Sequence, residues 1–144
     1  MNITYLVHDL ADPAVARRVT MLRQGGASID LIGFRRSDEA PAQVAGSKVR
    51  DLGQTRDGRF VARILSVLQA RHNLRSWGEA LGQGDAIIAR NLEMLYLAAA
   101  ARRRFAPGKP LFYELLALLD ALRIGGARES RLAEKALAER LHPK

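Results

Sequence analysis

The chain reads as a single α/β domain, a Rossmann-like three-layer fold with a mostly parallel sheet of about five strands. Three observations predict it. Short apolar runs of strand length alternate with longer stretches of helical periodicity. The connections between them are short, as in βαβ units. The strand runs are continuous rather than alternating, the pattern of strands buried on both faces. In such sheets ligands bind at the carboxyl ends of the strands.

The unit that organises the chain spans residues 84–116. Asp85–Arg90 carries the run Ala-Ile-Ile-Ala and reads as a buried strand. Asn91 is a good helix N-cap, and Glu93 puts negative charge in the first turn, where the helix dipole favours it. Leu92 to Arg104 is rich in Ala and Leu and ends in three arginines, the sign a helix C-terminus prefers. Pro107 to Pro110 breaks the chain, and Leu111, Phe112 and Tyr113 start a second buried strand. The carboxyl ends of these two strands carry Arg90, Asn91 and Glu114.

Upstream, Ile3–Val7 is a short apolar strand with His8 and Asp9 at its carboxyl end. Asp12 and Pro13 form a helix start, N-cap followed by proline at the first helical position. Val15, Val19 and Leu22 follow at helical spacing, and Gly25 and Gly26 end the helix. Ser28–Phe34 is the second strand, so the first 34 residues form another βαβ unit. Arg35–Gly46 reads as a polar loop, Val49–Leu52 as a short third strand, and Gly53–Gly58 as a loop. Phe60, Ile64, Val67, Leu68, Leu74, Trp77 and Leu81 mark one long helix with a break near Arg71–Asn73. Its polar face carries Arg59, Arg63, Arg71 and Arg75, and Trp77 sits at core spacing. After Leu116, Ala117–Ile124 reads as helical, and Glu129–Leu141 as a last amphipathic helix.

Length and composition bound the function. A chain of 144 residues is long enough for a real core. A hydrophobic content of 48% and a charged content of 26% are those of a soluble globular protein. No apolar run approaches the ~20 residues of a membrane span. The N-terminus has neither the basic region nor the cleavage site of a signal peptide, so the expected compartment is the cytoplasm. The absence of cysteine excludes disulfides, thiolate zinc sites and cysteine nucleophiles. The formal charge is +8 and uneven. Residues 1–57 hold eight basic and seven acidic side chains, and residues 58–144 hold fifteen and eight. An arginine-rich excess suits phosphate, anionic headgroups or a plain solvated surface.

The segments ITYLVHD, SIDLIGFRR, DAIIARNLEMLYLA and KPLFYELL, in that order and spacing, resemble the N-terminal half of GT-B glycosyltransferases. The likeness is nearest to the group-1-like enzymes of bacterial exopolysaccharide synthesis and covers residues 3–116. It implies an acceptor-side Rossmann-like domain over residues 1–144. It also implies a separate C-terminal domain that binds the nucleotide-sugar donor and is absent from this chain. The partners it implies are a sugar or lipid-linked acceptor and the donor, with contact at the inner face of a membrane and no nucleic acid. No cofactor and no metal are expected. The chain alone is expected to fold but not to turn over donor. Two departures stand out. The loop His8–Asp12 lacks the glycines that bring backbone to phosphate, and Leu115–Leu119 stands where relatives carry a histidine or acid after the Tyr-Glu strand.

The candidate residues follow from position. His8 is a base or hydroxyl ligand, its ordinary pKa lying near neutrality, or else a histidine hydrogen-bonded to backbone. Asp9 orients His8, binds a hydroxyl, or is a loop acid. Arg90 pairs with an acceptor phosphate or carboxylate, and Asn91 binds a hydroxyl or simply caps its helix. Glu114 is a second base candidate, or the ion-pair partner of Arg90. Arg102, Arg103 and Arg104 match their helix end; with Arg71 and Arg75 they are also a candidate membrane-surface patch. The competing reading is a stand-alone binding or regulatory module of flavodoxin or receiver type. Asp9 and Asp12 imitate the acidic cluster of a receiver, but no strand supplies its phosphorylatable aspartate. A P-loop and a Gly-x-Gly-x-x-Gly fingerprint are both missing, as are a helix-turn-helix, an aromatic RNP-like strand and a zinc spacing.

Overall fold

A computed structural model describes residues 1–55 and 60–114, the backbone alone over residues 60–63. The chain divides into two compact units, Met1–Tyr113 and Glu114–Lys144. The helices expected over 117–124 and 129–141, the residues Leu115–Leu119 and the side chains of Arg59 and Arg63 lie outside the described residues.

The first unit is an α/β domain. Its elements are β1 (Asn2–Val7), α1 (Pro13–Gln24), β2 (Ser28–Arg35), β3 (Gln43–Val44), β4 (Ser47–Gln54), α2 (Phe60–His72), α3 (Leu74–Gly78), a 3-10 turn (Glu79–Gly82), β5 (Ala86–Ala89), α4 (Leu92–Phe105) and β6 (Leu111–Tyr113). Among the described residues the sheet has six strands, in the order β3-β4-β2-β1-β5-β6. Every pairing is parallel except β3 with β4. Among the parallel strands the third in sequence (β4) lies outside the second, and the fourth (β5) lies against the first. That is the Rossmann order; a flavodoxin-like order places the third parallel strand beside the first. The flavodoxin and receiver reading therefore loses its support from the fold.

Right-handed crossovers explain the layers. The step from β1 to β2 runs one way along the sheet, and those from β4 to β5 and from β5 to β6 run the other, so their helices fall on opposite faces. Residue alternation then separates two apolar clusters. Ile3, Tyr5 and Val7 of β1 pack with Val15 and Val19 of α1, while Leu6 packs with Leu74, Trp77, Met94 and Leu97. The direction reverses between β1 and β5, the point at which open α/β sheets bind ligands.

Local chemistry sets the helix starts as expected. Asp12 accepts a hydrogen bond from the Ala14 amide at 2.8 Å, with Pro13 at the first helical position. Asn91 accepts one from the Met94 amide at 2.9 Å. The long helix does break at Asn73, giving α2 and α3. The break leaves the Ala70 carbonyl near a helix end, and the buried Trp77 indole donates to it at 2.9 Å.

Four expectations change. The segment read as a loop, 35–46, contains β3, which brings the sheet of about five strands to six among the described residues. It makes a hairpin with β4 through Ala45 and Gly46, both at positive φ (47° and 73°), and the Arg23 guanidinium donates to the Ala45 carbonyl. β4 runs over Ser47–Gln54, longer than Val49–Leu52. Among the described residues β6 is an edge strand rather than a buried one, with Phe112 57% exposed. The apolar stripe of α2 is largely in solvent: Ile64 and Leu68 are exposed, as is Leu65, whereas Leu74, Trp77 and Leu81 are buried. Among the described residues no helix is long and apolar enough to cross a membrane.

Candidate functional site

The reversal point gathers the candidate side chains. The Arg90 amide donates to the Leu6 carbonyl at 3.0 Å, which seats the end of β5 against the end of β1. The Leu10 amide donates to the Phe34 carbonyl at 2.8 Å, tying the loop after β1 to β2. Gly33 permits that approach. A Cβ on it would stand 2.6 Å from the Val7 carbonyl oxygen, closer than real side chains come. His8, Asp9, Asp12, Arg36, Arg90 and Asn91 thus sit on short segments after β1, β2 and β5.

Two ion pairs frame His8. One carboxylate oxygen of Asp9 accepts from the Ala11 amide at 3.0 Å, and the other meets Arg36 Nε at 3.0 Å. Asp12 uses one oxygen to cap α1 and presents the other to Arg90 at 3.6 Å. Arg90 is buried, its side chain only 8% exposed. Charge at this edge is therefore nearly balanced.

His8 lies between the pairs, and its Nδ1 is buried without a hydrogen-bond partner among the described residues. Burial pushes its pKa below the usual histidine value of 6.5. Asp12 opposes that shift, Arg36 and Arg90 reinforce it, and Asp9 opposes it. The imidazole is therefore neutral at physiological pH, able to accept a proton or a hydrogen bond. A notch of about 30 Å³ opens beside it, lined also by Phe34, Arg36, Thr55, Glu93 and Met94. That volume suits one water or one hydroxyl group, not a sugar ring.

The structure treats the candidates differently. It brings His8, Asp9 and Arg90 together. Asp9 is engaged by Arg36, so the aspartate influences His8 through charge. Arg90 meets Asp12. Asn91 has its oxygen in the α4 cap, and its amide donates to Glu93 at 2.8 Å, so little of it is left for a ligand. Glu114, the first residue of the second unit, is buried directly after β6. Arg36 and Thr55 were missed, although both close strands at the same edge, and position alone would have pointed to them. Asp12 was legible as a cap and as part of a receiver-like acidic pair, not as the partner of Arg90, which its second oxygen meets. Among the described residues no group of histidines and acids is placed to hold a metal ion.

No family model matches the chain. Over 116 residues it is 46% identical to the succinoglycan biosynthesis protein ExoL of Rhizobium meliloti (strain 1021). The match takes in 81% of this chain and 29% of ExoL, so the chain spans less than a third of the curated relative's length.

Proposed function

We propose that the chain is the acceptor-side domain of a glycosyltransferase of exopolysaccharide synthesis, one that moves a sugar from a nucleotide-sugar donor to a glycan or lipid-linked acceptor. The observation that carries this reading is the neutral His8 at the sheet's reversal point, in a chain 46% identical over 116 residues to a succinoglycan biosynthesis protein. In the reaction an acceptor hydroxyl attacks the anomeric carbon of the donor. The new carbon–oxygen bond forms as the bond to the nucleoside diphosphate breaks, and the hydroxyl proton passes to the His8 imidazole. The notch beside His8 takes the single hydroxyl, and the rest of the acceptor lies outside it. Arg36 and Arg90, held by Asp9 and Asp12, orient acceptor oxygens without leaving an unpaired charge at the edge. The remaining amide hydrogen of Asn91 is a minor donor. Phosphate stabilisation and donor binding fall to a further domain.

The test follows the His8 ring signals by NMR while a diphosphate-linked disaccharide is added to the chain. The account expects those signals to move and the chain to consume no nucleotide sugar. Sugar transfer by residues 1–144 alone would contradict the division of labour, and unmoved His8 signals at saturating acceptor would contradict the site.

A further inference from the structure

A second cationic feature lies away from the carboxyl edge. Arg71 and His72 end α2, Arg75 lies on α3, and Arg103 and Arg104 occupy the last turn of α4. Together they line a groove of about 310 Å³ whose floor includes the buried Leu74. Along α4, Arg103 is twelve residues beyond Asn91, or about 18 Å at the rise of an α-helix. The groove is thus separate from the site around His8.

The four arginines differ in their partners from Arg35, Arg36 and Arg90. Arg35, Arg36 and Arg90 each meet an aspartate. Among the described residues none of Arg71, Arg75, Arg103 and Arg104 has an ion pair with a carboxylate. Arg71 donates to the Tyr96 hydroxyl at 3.2 Å and lies 5.8 Å above that ring, which fixes its guanidinium in place. Arg104 lies 5.4 Å over Phe105. Helix ends account for part of this charge. The C-termini of α2 and α4 supply about half a negative charge each, which leaves most of four positive charges uncompensated. Like charges gathered around a concavity repel unless an anion joins them.

We propose that this groove is a second binding site, for a multiply charged phosphate-class oxyanion. Guanidinium forks match the non-bridging oxygens of phosphate, and the volume suits a diphosphate or a phospholipid headgroup. The site does not depend on the transferase reading.

Two sources share this chemistry, a soluble phosphate ester and an anionic lipid surface, and the experiment separates them. The chain is titrated at low salt with inorganic pyrophosphate, and in parallel with phosphatidylcholine vesicles with and without phosphatidylglycerol. Both titrations are repeated on the double variant Arg75→Gln, Arg103→Gln. Affinity for pyrophosphate that falls about tenfold or more in the double variant supports the proposal with a soluble ligand. Binding confined to phosphatidylglycerol vesicles, and lost in the double variant, supports it with a lipid headgroup. No binding of either probe, or binding that survives the substitutions, overturns it. Should the glutamine pair fail to fold, Arg75→Lys with Arg103→Lys keeps the charge but not the fork. It is then expected to weaken pyrophosphate binding severalfold, and unchanged binding to both probes counts against the site.

Discussion

At the scale of the residue, the behaviour of His8 follows from burial against charge. Its pKa is held below 6.5 because desolvation outweighs the field of Asp12. Two substitutions should move it in opposite directions. Asp12→Asn keeps an oxygen for the α1 cap but removes the charge that favours imidazolium, so the titration midpoint of His8 should fall further. Arg36→Gln removes an opposing cation, so the midpoint should rise. Both are read from the ring proton shifts of His8 against pH, and equal or reversed movements would refute this electrostatic assignment. The same shift has a consequence for stability. The unfolded chain binds the His8 proton more readily than the folded one, so the unfolded state gains as pH falls. The stabilisation is complete above pH 6.5 and is lost as the pH drops below that value through the folded pKa of His8. Denaturation midpoints measured on either side of pH 6.5 should show that loss in the wild type, and His8→Gln should flatten it.

At the scale of the element, what was legible in the sequence was local. Asp12 with Pro13, and Asn91, announce helix starts because an N-cap acts within three residues. The break between α2 and α3 was readable too, near Arg71–Asn73, but its fastening was not: the Trp77 indole reaches back seven residues to the Ala70 carbonyl. Trp77→Phe keeps an aromatic ring in the core but leaves that carbonyl unpaired and a small cavity beside it, so it should cost about 1–3 kcal/mol or more in urea denaturation. A cost near zero would mean that the bond does not hold the two helices together. The β3–β4 hairpin escaped notice because its turn is Ala45 and Gly46 rather than Asn-Gly, and because β3 is only two residues long. The exposure of Ile64 and Leu68 escaped notice for a different reason. Periodicity shows that a helix has an apolar face, not whether another element reaches that face.

At the scale of the whole molecule, strand order decides the architecture and where the candidate residues meet. The reversal between β1 and β5 is a property of topology, and no single segment encodes it. The sequence nevertheless pointed to His8, Asp9 and Arg90 through the simpler rule that parallel strands present ligands at their carboxyl ends. The ion pairs that join those residues to Arg36 and Asp12 needed the fold, because they link loops that follow three different strands. Charge is distributed accordingly. Acids and bases are matched around His8, while arginines without carboxylate partners collect between α2, α3 and α4.

The most direct test of the central claim is a replacement in the longer relative. The 116-residue stretch of ExoL that matches this chain is exchanged for the whole chain, residues 1–144, and succinoglycan production is measured in cells that lack ExoL. The account predicts that the chimera restores the polymer and that His8→Ala within it lowers output about 10²-fold or more, the scale of losing a general base. A chimera that accumulates normally yet makes no polymer would contradict the account, as would one in which His8→Ala makes as much as its parent.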